Sequence, residues 1–339
     1  MTRPLPLTAL AALALAISCS SGEAPGPPRF EVPSGQQGRW FKGNTHTHTT
    51  NSDGDSPPDY VARWYREHDY DFLVLSDHNV FTDPATLASL MDSSFLLIPG
   101  EEVTSGFEGR PVHVNGLNLP GVVEARTAQS LVATIQANVD AIREAEGVPH
   151  VNHPNFGWAF GAAELAQVRD DRLLEIWNGH PTVHNRGGGG VPGMDEVWDA
   201  LLTGGKRIYG IAVDDAHHFQ GEFARDRANP GRGWVVVRAP GLDALALLSS
   251  LEAGRFYAST GPVLDDVVVT PTTLEVRIGE RSTFKHTATF IGAGGRVLAV
   301  SPDNPAVFEL TEDVGYVRAR VTDSMGYSAW TQPVFVARE

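Results

Sequence analysis

Residues 44–54 read NTHTHTTNSDG, which sets His46 and His48 two apart and Asp53 shortly after them. In an extended segment side chains two apart point the same way, so the pair offers two imidazoles to one cation. Asp53 adds a hard oxygen donor, although Asp-Gly also makes simple turns. A solvated Thr-rich turn would account for the stretch as well, so the rest of the chain has to decide. Further donors recur beside short apolar runs: His78 after FLVLSD, Glu101 and Glu102 after FLLIPG, His113 opening another run, His153 before a proline, and Asp215 and His217 in VDDAH. Imidazole plus carboxylate is the donor set for Zn, Mn or non-haem Fe, and the lack of thiolates argues against a structural zinc site. Counting one of the adjacent Glu101 and Glu102, nine candidate donors are too many for one ion of four to six ligands, and suit two or three ions sharing a bridging carboxylate.

Such donors need a frame. The apolar runs FLVLSDH (72–78), FLLIPGEE (95–102), VHVNGL (112–117), VPHVNHP (148–154), LLEIWNG (173–179) and RIYGIAVDD (207–215) predict buried strands. Helices are predicted between most of them. SPPDYVARWYREH (56–68) carries Ser56 as N-cap and Pro57 in the first turn. AQSLVATIQANVDAIREAEG (128–147) has Leu131, Ile135, Val139 and Ile142 on one face and stops at Gly147. DEVWDALLTGG (195–205) and LDALALLSSLEAG (242–254) also end in glycine. Strand–helix alternation over about 220 residues argues for a parallel α/β sheet or barrel, whose strand C-terminal ends share the rim where sites are built. After GRFYASTGP (254–262) the pattern alternates apolar and polar residues with no helical period, which predicts an antiparallel β appendage. His286 lies inside it and reads as a packing or surface histidine.

The N-terminus reads differently. Arg3 and the apolar stretch LTALAALALAI (7–17), too short to span a bilayer, precede Cys19, the only cysteine. Ala16, Ser18 and Cys19 resemble a bacterial lipoprotein cleavage box, which implies cleavage before Cys19, lipidation of its thiol and anchoring to the cell envelope after export. Residues 20–38, rich in Pro, Gly and Ser, then read as a tether. The expected units are a signal peptide (1–18), a lipidated linker (19–38), a barrel (39–262) and the β appendage (263–339). A formal net charge of −15 opposes binding to bulk nucleic acid, which needs clustered Lys and Arg, but leaves room for a small anionic substrate beside bound cations. No membrane contact is expected beyond the lipid.

HTHTTNSDG, LSDHN, PGEE, HVNGL, NHPN and VDDAHH, in that order, closely resemble the polymerase and histidinol phosphatase (PHP) family of metal-dependent hydrolases. EIWNG, GWVVVRA and GRFYASTGP look like its carbaryl-hydrolase-like branch, and the resemblance covers about residues 40–262. It implies an α/β fold, a distorted (β/α)7 TIM-like barrel with a two- or three-metal site. His46, His48, Glu102 and Asp215 would hold the first metal, Glu102 would bridge to a second completed by His113 and His153, and Asp53, His78 and His217 would hold a third. The family's motif spacing, carried over by the resemblance, implies Glu102 over the adjacent Glu101, with Glu101 outward, and Asp215 over Asp214; a shift of one residue would exchange the latter two.

Around these, Asp77 reads as a partner orienting an imidazole. Glu175, Asn178 and His180 follow onto the same rim, and His218 is a candidate neighbour of the ligands. Arg232 is a candidate for a substrate anion, and GGGG (187–190) beside His184 suggests a hinge. His68 reads as solvated, and His150 as lying across the strand from His153. The expected chemistry is hydrolysis by a metal-bridging hydroxide, with leaving-group protonation by His217, His180 or metal-bound water. A phosphoesterase acting on a small phosphorylated compound leads; a carboxylic ester or carbamate hydrolase and a non-catalytic metal-binding surface lipoprotein are the rivals.

Overall fold

The computed structural model describes Met1 and residues 26–280 and 283–337. The expected signal peptide and Cys19 lie outside the described residues. Up to the first rim loop the chain forms β1 (Arg39–Asn44), followed by α1 (Pro58–Glu67), β2 (Phe72–Val74), β3 (Leu96–Ile98), β4 (Gly100–Phe107) and β5 (Arg110–Leu117). Then come α2 (Leu131–Glu144), β6 (Val148–Val151), α3 (Ala162–Leu165), β7 (Leu173–Asn178), α4 (Met194–Thr203), β8 (Tyr209–Val213), β9 (Trp234–Ala239), α5 (Ala244–Glu252) and β10 (Phe256–Ser259). Only strands and one short 3-10 turn follow: β11 (Leu264–Val269), β12 (Thr273–Ile278), β13 (His286–Gly292), β14 (Arg296–Ser301), β15 (Ala306–Glu309), β16 (Tyr316–Asp323), β17 (Ser328–Thr331) and β18 (Val334–Phe335).

The hydrogen bonds do not draw a closed (β/α)7 barrel. One sheet runs β3-β2-β1-β9-β10, a second runs β4-β5-β6-β7-β8, and the ladders do not join them. The two face each other over a shared apolar core, Phe41, Phe72 and Ile98 against Leu117, Leu173 and Ile211. Between β3 and β4 stands Pro99, which has no N–H for a ladder. Gly100 then brings its backbone so near that a Cβ would lie 2.5 Å from Val74 and 2.7 Å from the Gly116 carbonyl.

Nor is the sheet all parallel, because turn chemistry overrides the alternation. Glu108 and Gly109 form a two-residue turn with both φ values positive (48° and 79°), the geometry that folds β4 back on β5 as an antiparallel hairpin. β1 pairs antiparallel with β9, and β9 with β10, while β1-β2-β3 and β6-β7-β8 are parallel. The first helix also starts one residue later than the Ser56 cap predicts. Pro58 pushes the residue before it out of the helical region, so Pro57 (φ −69°, ψ 159°) is the cap, and the Ser56 hydroxyl donates to Asp55 at 2.8 Å.

The C-terminal strands are antiparallel, but they extend a sheet already present: β17 pairs with β10, and β16, β13 and β14 follow outward. A three-stranded sheet, β11-β12-β15, packs on them through Leu274, Val276, Phe290 and Val321. Part of the expected tether is held in the same region. Phe30 is buried among these strands, and the Gln36 amide both donates to and accepts from the Val269 backbone at 2.8 Å.

A buried charge pair ties the C-terminal strands to α4. Asp199 accepts from Arg318 at 2.8 and 2.7 Å and from the Tyr316 hydroxyl at 2.7 Å. Arg318 is fully buried, so removing Asp199 leaves its charge to Asp195 alone, 3.1 Å away, and frees the donors that Asp199 held. Asp199→Ala is expected to cost about 3–5 kcal/mol in denaturant unfolding, and the apolar pair Asp199→Leu with Arg318→Met to recover most of it. A loss below about 1 kcal/mol for the single change would contradict this reading.

Candidate metal centre

Three connections set the centre. The chain leaves β1 at Asn44, whose side chain accepts from the His46 amide at 2.9 Å and donates to the Gly233 carbonyl at 2.9 Å. Thr47 then bridges to Ala216 and His78 to Glu102, so the ends of both sheets meet there. Asp215 adopts φ 49°, a left-handed conformation that aspartate tolerates better than most residues and that turns its carboxylate into the centre.

Glu102 stands in the middle. Its Oε2 lies 3.4 Å from His46 Nε2, 3.4 Å from His48 Nε2 and 2.8 Å from His78 Nδ1. Its Oε1 lies 2.9 Å from His113 Nδ1 and 3.3 Å from His153 Nε2, and accepts from Asn152 at 2.7 Å. Asp215 Oδ1 lies 3.3 Å from His46 Nε2 and 3.1 Å from His48 Nε2. Asp53, exposed at the mouth, is 3.3 Å from His217, 3.5 Å from His48 and 3.6 Å from His78. All nine expected donors therefore fall in one cluster of overlapping groups that could each hold a cation. Two residues have further neighbours: His78 approaches Glu102 as well as Asp53, and His153 also groups with His46 and Asp215.

These distances fit an ion. His46 Nε2 and His48 Nε2 are 3.1 Å apart, and each lies 3.1–3.4 Å from both Glu102 Oε2 and Asp215 Oδ1. Tetrahedral ligands about 2.0–2.1 Å from a cation are roughly 3.3 Å from one another. Glu102 Oε2 is buried and makes no hydrogen bond of acceptable geometry, an acceptor left for something else.

The surroundings orient the donors. Glu175 accepts from His46 Nδ1 at 2.6 Å, so Nε2 is the ring atom left for a cation. The same carboxylate accepts from the His153 amide at 2.8 Å and from Asn178 at 2.9 Å, and Asn178 also holds Asp215 at 3.0 Å. His180 follows on the rim, its ring centre 5.2 Å from that of His217, and both border a cavity of about 120 Å³ that Phe156 also lines.

Several expectations change. Asp77 touches no imidazole; it accepts from Thr49 N–H and hydroxyl at 2.7 and 2.8 Å and from Ser52 at 2.7 Å, fixing the loop beneath His48. Arg232 does not reach the cavity as an anion clamp. Its guanidinium donates to the Gly179 and Ala224 carbonyls and to Asn229, bracing two loops. His218 meets no expected ligand beyond a ring distance of 6.4 Å to His217. Glu101 is buried, not outward: it faces the opposite side of β4 and accepts from the Val123 amide at 3.2 Å, and burial pushes its carboxyl up to about 7. Asp214 accepts from the Gly231, Arg232 and Gly233 amides and from Tyr65, which leaves Asp215 for the cluster. His150 lies behind His46, within 3.3 Å of the Thr45 carbonyl, and His184 stacks on Trp158 at 4.3 Å. Asn152, Thr104 and Phe156 were not singled out by sequence; only the asparagine preceding His153 hinted at the first of them.

No family model matches the sequence. A 5'-3' exoribonuclease from Haemophilus influenzae is 34% identical over 110 residues, 32% of this chain and 37% of the relative, so the chain spans little more than a third of that relative's length. A two-domain protein from Bacteroides vulgatus ATCC 8482, containing a predicted PHP-like metal-dependent phosphoesterase, superposes with a TM-score of 0.52 at 14% identity. That match covers 88% of this chain and 95% of the other, and it is a likeness of fold. An amidohydrolase from Chromobacterium violaceum reaches a TM-score of only 0.38 at 15% identity, over 56% of this chain and 93% of that one.

Opposite charges within the cluster support one another. Burial alone would raise the Glu102 and Asp215 carboxyls, yet the His46 imidazole and its neighbours hold both well below the carboxylate range. Burial would lower His78, but Asp53 and Glu102 hold it up to about 10, from an ordinary value of 6.5. Stability from that proton is complete below pH 6.5 and disappears as pH rises toward 10. The metal-free protein is therefore expected to lose melting temperature between pH 7 and 10, while the gain on adding a divalent cation grows over the same range. Melting curves of wild type and His78→Ala check this; a wild-type slope no steeper than the variant's would contradict it.

Proposed function

We propose that the chain is a PHP-family metal-dependent hydrolase that cleaves phosphoester bonds. One observation carries the reading: a buried carboxylate, Glu102, stands within 2.8–3.4 Å of five imidazoles that approach both of its oxygens. That is a bridging ligand's position. His46, His48, Glu102 and Asp215 would hold one ion, Glu102 with His113 and His153 a second, and Asp53, His78 and His217 a third. Divalent Zn, Mn or Fe there would make water acidic enough to attack near neutral pH and would draw charge from the oxygens of the group under attack.

The protein's own groups divide the remaining work. His217 gives Nδ1–H to the Asp215 carbonyl at 2.9 Å and turns Nε2 toward Asp53, which suits a ligand and not a proton donor. His180 Nδ1 accepts from the Thr182 amide at 3.3 Å, leaving the ring proton on Nε2 at the cavity. Burial lowers its pKa, so a proton gained at this ring is readily given up. As the imidazolium, His180 would protonate the leaving oxygen, and that step is expected to weaken as pH rises. Phe156 and His153 screen the opposite wall, their rings 5.2 Å apart.

The matched H. influenzae relative is an exoribonuclease, which supports a phosphodiester over a carboxylic ester as the bond cleaved. The net charge of −15 favours a short substrate over a long nucleic acid. The carbamate or carboxylic ester reading rests on the resemblance of the EIWNG, GWVVVRA and GRFYASTGP segments. The test uses the full chain loaded with Mn or Zn, assayed on p-nitrophenyl phosphate, bis-p-nitrophenyl phosphate and p-nitrophenyl acetate. Phosphoester turnover is expected to fall by roughly 100-fold or more in His46→Ala. His180→Ala is expected to slow an alkyl phosphate about 100-fold while sparing the nitrophenyl esters, whose leaving group needs no proton. Turnover of the acetate alone would favour the carboxylic ester, and bound metal without turnover would favour a metal-binding surface lipoprotein.

A further inference from the structure

At the opposite ends of β7 and β8 lies a second cavity, of about 440 Å³, walled by Tyr209, Phe256, Val267 and Val334. It sits where the paired strands, the C-terminal β layer and residues 31–36 meet, and its size is that of small-molecule sites, which favour such junctions. Four arginines border it in a chain whose net charge is −15. Two of them are matched. Arg207 is held by both oxygens of Glu31 at 2.7 Å and lies 4.4 Å over the Phe335 ring. Arg238 pairs with Asp266 and lies 4.1 Å over Trp40. The remaining carboxylate, Glu252, is taken by Arg143.

Among the described residues the other two have no counter-charge in contact. Arg255 is half-buried and its guanidinium bonds only to hydroxyls, Ser249 at 3.4 Å and Ser250 at 3.1 Å. Arg172 makes no ion pair among the described residues, although an acidic hollow with Asp140 and Asp170 lies on its other side. Guanidiniums match carboxylate and phosphate oxygens in planar pairs, and aromatic walls accept a ring or chain. We infer that this cavity is a second ligand site, taking a small organic anion with one acidic head at Arg172 and Arg255 and an apolar or aromatic body against Tyr209 and Phe256. β8 spans five residues, roughly 16 Å, so such a ligand does not reach the metal centre.

The probe is phenylphosphonate, whose carbon–phosphorus bond resists hydrolysis, titrated calorimetrically into the metal-free full chain beside inorganic phosphate. One phenylphosphonate per chain is expected at this site, with phosphate at least tenfold weaker for want of a body. Arg172→Ala and Arg255→Ala are each expected to weaken phenylphosphonate about tenfold, and Arg255→Lys less. His46→Ala is expected to leave binding unchanged. Arg172 is exposed, so its variant keeps the test sound even if Arg255→Ala unfolds. No heat up to millimolar probe, binding indifferent to Arg172→Ala, or binding lost in His46→Ala would each overturn the assignment.

Discussion

Glu102 is a carboxylate with no exposed surface, surrounded by imidazoles, and the rest of the structure answers to that constraint. A buried charge is tolerated only when partners compensate it from every side. Those partners come from strand ends far apart in sequence, so both sheets must end at one place and at one height. The two open sheets accomplish this without sharing a ladder: β1, β2, β4, β5 and β6, with the segment after β8, all deliver donors to the same rim.

Partners behind the donors make the arrangement specific. Glu175 and Asn178, three residues apart at the end of β7, reach His46, His153 and Asp215 together. Asp77 and Asp214, which precede His78 and Asp215 in sequence, serve backbone amides instead, Asp77 in the loop after His48 and Asp214 in the loop before β9. At these two strand ends one residue faces the centre and its neighbour anchors a loop, and the loop held by Asp77 carries His48 and Asp53. Loop geometry and donor geometry are thus set by the same dipeptides.

Much of this was legible in the sequence because it follows from short-range rules. His46 and His48 share a side through the two-residue period of extended chain, and the polar residues cluster after apolar runs because parallel strands share a rim. Parity was less legible. Whether Glu101 or Glu102 faces inward depends on strand register, which long-range pairing sets, and the buried position of Glu101 under Val123 has no local signal. The open sheets and the merging of the C-terminal strands through β10 and β17 were hidden for the same reason: antiparallel pairing between distant segments leaves no periodic trace. Arg232 misled because a turn arginine is equally suited to an anion or to carbonyls, and the carbonyls of Gly179 and Ala224 decide it only once the loops are placed.

In the proposed centre Glu102 would join the sites of more than one ion. The most direct measurement counts metal per chain, by elemental analysis after equilibration with Mn or Zn, in wild type and in Glu102→Ala with circular dichroism to verify folding. The account predicts two or three ions in the wild type and at most one in the folded variant. A wild type that binds one ion or none, or a folded variant that keeps the full count, would contradict it.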